Sequence, residues 1–308
     1  TYDVMSHKYL THASPTLFNS CLKINQLSSC FLMKLNTKNN TKLFNSISVG
    51  ADILEAAGGL GIHIHDMPDQ SNYVSNNLIP LIKILNATTR YVDQSEGKRK
   101  GSISIWIEPW HPDIMEYLEL RKNQGHDDLR ARDLFYGLWI PNLFMNAVKN
   151  DLPWFLLCPH KCPKLSDLYG NDFEDYYNKC VSENKYTKKI KARTIWKSII
   201  NSQIETGLPY ICYKDHVNLK TNQMNIGTIK SSNLCCEIME YSDDNEIAVC
   251  NLASISLSSC VSTLIFCKDD MPLYIYTKNN CKVTLLAQKY CDENNIPYIC
   301  KEVPELDT

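Results

Sequence analysis

Between residues 41 and 213, strand-like and helix-like patterns take turns, and this alternation limits the fold more than any other feature of the chain. Residues 41–57, "TKLFNSISVGADILEAA", space apolar side chains at helical intervals and stop before Gly58 and Gly59. "GIHIHD" then alternates as a strand does. "NNLIPLIKILNATTRYVDQ" predicts a helix with Pro80 near its first turn, and "GSISIWIEP" sets Ser102, Ser104 and Trp106 against Ile103, Ile105 and Ile107. A helix in "HPDIMEYLELRKN", the apolar run "DLFYGLWIPNLF", the strand "WFLLC" and helices at 172–184 and 192–207 follow, the last closed by Gly207. Strands interleaved with helices of this length predict an α/β architecture with mainly parallel strands, open or closed into a barrel.

A chain of 308 residues with 44% hydrophobic content can bury one large core or two ordinary ones. Its 32 Lys and Arg against 34 Asp and Glu leave a net charge of -2, so no global basic field exists to hold nucleic acid or an anionic membrane surface. No apolar run reaches the ~18 residues of a membrane span. The opening "TYDVMSHKYL" lacks the layout of a signal peptide. The expectation is a cytoplasmic protein that contacts neither nucleic acid nor membrane. Fourteen cysteines are scattered rather than framed as in a small secreted scaffold, and most are read as reduced, buried thiols. "CPHKCP" has Cys158, His160 and Cys162 but no second short-spaced pair, so it reads as a proline-bounded turn and not a zinc knuckle.

"SNLCCEIME" raises a sharper question. If residues 231–239 are extended, Asn233, Cys235 and Glu237 project to one side, and Leu234, Cys236 and Ile238 to the other. That is either an amphipathic strand with a solvated face or a thiol set between an amide and a carboxylate. "QLSSCFLMKL" and "EIAVCNLASISL" each place one cysteine, Cys30 and Cys250, at the edge of an apolar run. Two strand ends there can meet, although each alone also reads as an inert buried thiol. The glycines of "AAGGLGI" would let backbone approach a ligand closely. "GIHIHD" separately offers His63 and His65 on one face of a strand, the start of a metal-dependent hydrolase site, but no further His/Asp cluster completes it.

In order and spacing, "THASPTLFNS", "QLSSCF", "AAGGLGI", "TTRYVDQ", "EPWHPDI", "RARDLF", "LWIPNLFM", "ETGLPYICYKD", "SNLCCEI" and "AVCNLAS" resemble the large subunit of class I ribonucleoside-diphosphate reductase. The resemblance runs from residue 1 to about 261. It implies roughly the first half of a ten-stranded α/β barrel, with the radical cysteine on a finger loop. Carried over by motif, Cys235 matches the residue that becomes a thiyl radical, Glu237 the base and Asn233 an amide that orients the ribose. Cys30 and Cys250 match the redox pair that closes to a disulfide. Ser14, Ser29 and Gly59 match positions at the substrate, where Asn233 and Glu237 also lie. The family implies a ribonucleoside diphosphate substrate, nucleoside triphosphate effectors including ATP, and a small subunit whose metal centre supplies the radical. It also implies thioredoxin or glutaredoxin as reductant and a homodimer of the full-length protein. No cofactor or metal is expected on this chain itself.

The chain departs from the family at the effector site, with Lys38 and Glu55 at positions of opposite charge and a shortened loop in "HDMPDQSNYVSNN". Arg130 and Arg132 are kept, and Leu129 replaces a common Gln. The family's later barrel, its phosphate loop and its radical-relay tyrosines are not found, so the expectation is a chain inactive alone. A non-catalytic nucleotide- or subunit-binding relative is the alternative. After residue 261 a linker at 262–270 leads to 271–308, "MPLYIYTKNNCKVTLLAQKYCDENNIPYICKEV…", which resembles the start of a glutaredoxin, a partial thioredoxin-like βαβ segment. Cys281 takes the place of the first cysteine of its C-x-x-C motif, and Thr284 that of the second. A thiol at a helix N-terminus has a lowered pKa.

Overall fold

The computed structural model describes residues 1–23, 25–67, 78–92, 100–260, 273–277 and 282–302. Cys281, the 262–270 linker and most of the shortened loop lie outside the described residues. The chain divides into two units, Leu10–Ile255 and a second made of Thr1–Tyr9 with Ser256–Thr308.

In order, the chain forms α1 (Tyr2–Ser6), β1 (Leu10–His12), α2 (Ser14–Asn19), β2 (Cys30–Lys34), α3 (Asn40–Glu55), β3 (Gly59–His63), α4 (Leu78–Val92), β4 (Ser102–Ile107) and α5 (Ile114–Glu119). There follow β5 (Phe135–Ile140), α6 (Asn142–Lys149), β6 (Pro153–Leu157), α7 (Gly170–Ser182), β7 (Tyr186–Lys191), α8 (Ala192–Thr206), β8 (Tyr210–Tyr213) and α9 (Lys214–Lys220). The last elements are β9 (Ala248–Cys250), β10 (Ala253–Ile255), α10 (Leu257–Cys260), β11 (Leu273–Thr277), α11 (Lys282–Glu293) and β12 (Tyr298–Glu302).

Six strands form the central sheet of Leu10–Ile255 in the order β8-β5-β4-β3-β2-β9. All neighbours are parallel except β9, which runs antiparallel to β2 at the edge. The alternation of each strand sorts its side chains onto two faces. Phe31, Met33, Leu60, Ile62, Ile103, Ile105, Ile107, Leu138 and Ile140 point into one apolar core that α3, α4, α5, α6 and α8 cover. Helix α3 presents Leu43, Ile47, Gly50 and Leu54 to it, a helical stripe, after Asn39 caps the first turn through Lys42 N–H at 2.9 Å. Gly207, at φ +75°, ends α8 as the sequence predicts. Because the crossover helices cover the same face, the sheet is wound on one side only, the arrangement of part of a barrel wall and not of a doubly wound sheet.

Past β8, two buried charges brace the chain. Lys214 Nζ lies 2.8 and 3.0 Å from the two carboxylate oxygens of Glu108 and donates to Leu165 O at 2.8 Å, all fully buried. Burial pushes the Glu108 carboxyl up to about 7, against the pull of Lys214. Asp215 accepts Asn142 N–H at 2.6 Å and Gly170 N–H at 2.7 Å, so one carboxylate serves the N-termini of α6 and α7. In the second unit, β11 and β12 pair in parallel, Leu273 opposite Tyr298, with α11 between them in sequence.

Candidate active site

The other face of the sheet is covered mainly by residues 229–241, with Val217 of α9 packed beside them. The reading of 231–239 as an extended strand is overturned, because these residues form a turn. Asn233 Oδ1 accepts Glu237 N–H at 3.1 Å and Ile238 N–H at 3.2 Å, Ser232 Oγ donates to Ile238 O at 2.8 Å, and Cys236 adopts φ +68°. A short polar side chain that binds nearby backbone groups replaces the ladder a strand would need. Ser104 Oγ donates to Asn233 O at 3.2 Å, and Asn218 grips Ile229 through both its amide atoms. Cys235 therefore stands exposed at the tip of a turn whose base is buried. The resemblance implied such a finger loop, whereas periodicity did not.

The β3 glycines seat this turn. A Cβ on Gly61 would lie 2.0 Å from Ser232 O, and one on Gly59 would lie 3.3 Å from Leu234. The close approach read from "AAGGLGI" is thus made by the protein's own loop. Gly61 is one of those glycines, whereas Ser104 and Ser232 had no mark in the sequence as site residues. For Ser104 the hint is a small side chain alternating with isoleucines along β4, opposite Gly61 of β3.

Strand β9 places Cys250 directly opposite Cys30. Antiparallel partners have Cα atoms ~4.5–5.5 Å apart, within the range a disulfide spans. Both are thiols here. Cys30 Sγ lies 3.5 Å from Glu237 Oε1, to which it donates, and 3.6 Å from Ser29 Oγ. Burial raises the pKa of the Cys30 thiol, Glu237 adds to this, and Ser29 and Asn233 only partly offset it. Burial likewise raises Cys250, aided by Glu240 and Glu237. Both thiols are thereby held in the hydrogen-bearing form. The structure thus gathers Ser29, Cys30, Asn233, Glu237 and Cys250. Ser14 opens α2, next to Ala13, whose N–H bonds Leu252 O at 2.9 Å, close in sequence to Cys250.

The remaining candidates have other surroundings. His63 and His65 stack with ring centroids 5.5 Å apart and are fully buried, and His65 Nε2 contacts Lys230 O at 2.6 Å. Burial lowers His65 to about 3 and His63 well below its usual value. Among the described residues no group of three His, Cys, Asp or Glu could hold a metal. Cys158 and Cys162 lie in a turn closed by Cys162 N–H to Cys158 O at 3.0 Å. Lys38 pairs with Asp244 at 2.9 Å, Glu55 is exposed, and Arg130 and Arg132 tie down backbone carbonyls of their own loop. No described helix is long and apolar enough to cross a membrane.

A one-sided α/β wall with paired thiols beneath a glycine-seated loop defines a class, and the comparisons give that class its family. Residues 28–293 match the family model of the ribonucleotide reductase barrel domain, and the chain belongs to this family. It is 51% identical over 267 residues to a ribonucleoside-diphosphate reductase large subunit of Plasmodium falciparum (isolate Dd2), covering 85% of this chain and 33% of the relative. A Caenorhabditis elegans large subunit is 50% identical over 268 residues, 85% of this chain and 34% of the relative. A large chain from Cryptosporidium parvum is 44% identical over 309 residues, 96% of this chain and 38% of the relative. The chain spans about a third of the length of these curated relatives. The family match also extends through α11, past residue 261.

Proposed function

We propose that the chain carries the thiol chemistry of ribonucleoside diphosphate reduction, of the class I type, in the cytoplasm. In this reading Cys235, oxidised by one electron through a small subunit that bears the metal centre, takes the 3′ hydrogen of the substrate. Glu237 accepts the 3′-hydroxyl proton, Asn233 orients the ribose, and the 2′-hydroxyl leaves as water. Cys30 and Cys250 supply two electrons and two protons as they close to a disulfide. Cys235 returns its hydrogen to C3′, and thioredoxin or glutaredoxin reopens the disulfide. Ser14, Ser29 and Gly59 line the substrate's place. The observation that carries the reading is the direct opposition of Cys30 and Cys250, with Glu237 Oε1 3.5 Å from Cys30 Sγ.

Cys235 and Glu237 are exposed in this chain, and water at a thiyl radical quenches it. Turnover then requires further polypeptide to enclose the turn, in a protein that works as a homodimer. Lys38, held by Asp244, and Glu55 alter recognition of nucleoside triphosphate effectors. Residues 1–261 act as the reductase part, 262–270 as a linker and 271–308 as a glutaredoxin-like segment, a reading supported by the parallel β11–β12 pair. The test mixes the chain with a small subunit, with and without the remaining part of a relative's large subunit, and measures deoxyribonucleotide formation. Activity should appear only in the complemented mixture, and Cys235→Ser should lower it roughly a thousandfold or more. Equal activity of Cys235→Ser and the parent would instead favour the non-catalytic, nucleotide- or subunit-binding reading.

A further inference from the structure

A second pair of thiols meets on the opposite side of the turn. Cys212 lies on β8, and its thiol is near enough to that of Cys236, one residue beyond the exposed tip, for each to shift the pKa of the other. Cys212 belongs to an apolar cluster with Trp106, Trp139 and Ile229, against which Cys236 packs. The Cys30 cluster is separate and contains Leu32, Ile238 and Ala248. The turn is therefore straddled by two thiol pairs that do not share a core. Cys212 is 7% exposed, yet with Met239 and Glu240 it lines an open cleft of about 690 Å³, wide enough to admit a small oxidant.

We propose that Cys212 and Cys236 are a second redox pair, whose oxidation by a peroxide forms a disulfide that ties the turn to β8. Cys236 packs against the same apolar cluster that holds Cys212, and nearness of the two side chains is the first condition for a disulfide. The interaction between the two thiols lowers the pKa of Cys212 and raises that of Cys236, so Cys212 is the attacking sulfur. Its thiolate takes one oxygen of hydrogen peroxide as a sulfenic acid and releases hydroxide, which is protonated to water. The Cys236 sulfur then displaces the second hydroxyl as water and forms the S–S bond. Two thiols are oxidised and one peroxide is reduced to two waters. None of this depends on Cys235 being the radical thiol.

The test treats the full chain with an equivalent of hydrogen peroxide, alkylates the remaining thiols and digests with trypsin and a glutamate-specific protease. Cleavage yields 206–214, whose one cysteine is Cys212, and 231–237, which holds Cys235 and Cys236. The expected product is these two peptides joined, lighter than their sum by two hydrogens. It should persist in Cys235→Ser and be lost in Cys236→Ser and in Cys212→Ser. A link that survives Cys236→Ser but vanishes in Cys235→Ser would overturn the proposal. So would full alkylation of Cys212 in the oxidised, unsubstituted chain, a result that does not depend on any variant folding.

Discussion

The two faces of the six-stranded sheet are made by alternate residues of the same strands, yet they are built to opposite rules. The helix-covered face is branched and apolar: Leu60 and Ile62 from β3, and Ile103, Ile105 and Ile107 from β4. On the loop-covered face Cys30, Gly59, Gly61 and Ser104 leave room for a backbone to lie against the sheet, whereas the buried Trp106 and Trp139 pack with Cys212 farther along it. One face gains stability from area removed from water. The other accepts a polar turn over its small residues, and there it needs hydrogen-bond partners in place of bulk.

The contrast can be broken from either side. Ile105→Ala should have the largest effect on stability, about 2–5 kcal/mol in denaturant unfolding, because it empties a fully buried site. It should leave the ratio of Cys235 to Cys30 alkylation rates unchanged in the folded chain. Gly61→Ala should cost less, about 1–3 kcal/mol, as an overpacked site does. Its methyl would strike Ser232 O, a backbone atom that can yield only by moving the turn. Alkylation of buried Cys30 should therefore speed up in this variant. An unchanged Cys30 rate would mean that the turn does not depend on the glycine seat.

The third effect is one of pH. His63 and His65 are neutral in the folded chain, with pKa values held below the 6.5 of an exposed imidazole, His65 at about 3. Below pH 6.5 the unfolded chain binds protons that the folded one refuses, so stability falls as pH falls, until the folded pKa is reached. The slope is up to about 1.4 kcal/mol per pH unit for each histidine. Denaturation midpoints between pH 7 and 4.5 check this, and His65→Gln should flatten the curve.

Much of the first face is legible in the sequence because a period of two in "GSISIWIEP" and a helical period in "TKLFNSISVGADILEAA" are local signals. The second face is not. "SNLCCEIME" alternates as a strand would, but Asn233 turns the chain by binding the N–H groups of Glu237 and Ile238. Nothing in periodicity distinguishes an Asn that caps a turn from one that faces solvent. The antiparallel placement of β9, which sets Cys250 against Cys30, depends on contacts distant in sequence. Those residues were named through family likeness, and the geometry supplied what brings them together.

Asp215, which holds the ends of α6 and α7 at once, has a mechanical consequence. Together with the buried Lys214–Glu108 pair it fixes the corner just beyond β8, so Cys212 stands on a post anchored at several points. The turn at 231–239 is joined to β4 by the hydrogen bond from Ser104 Oγ to Asn233 O, while the bonds of Ser232 to Ile238 O and of Glu237 and Ile238 to Asn233 Oδ1 are internal to it. When sulfur chemistry alters the spacing between the two, the displacement falls on the turn, and with it on the position of Cys235.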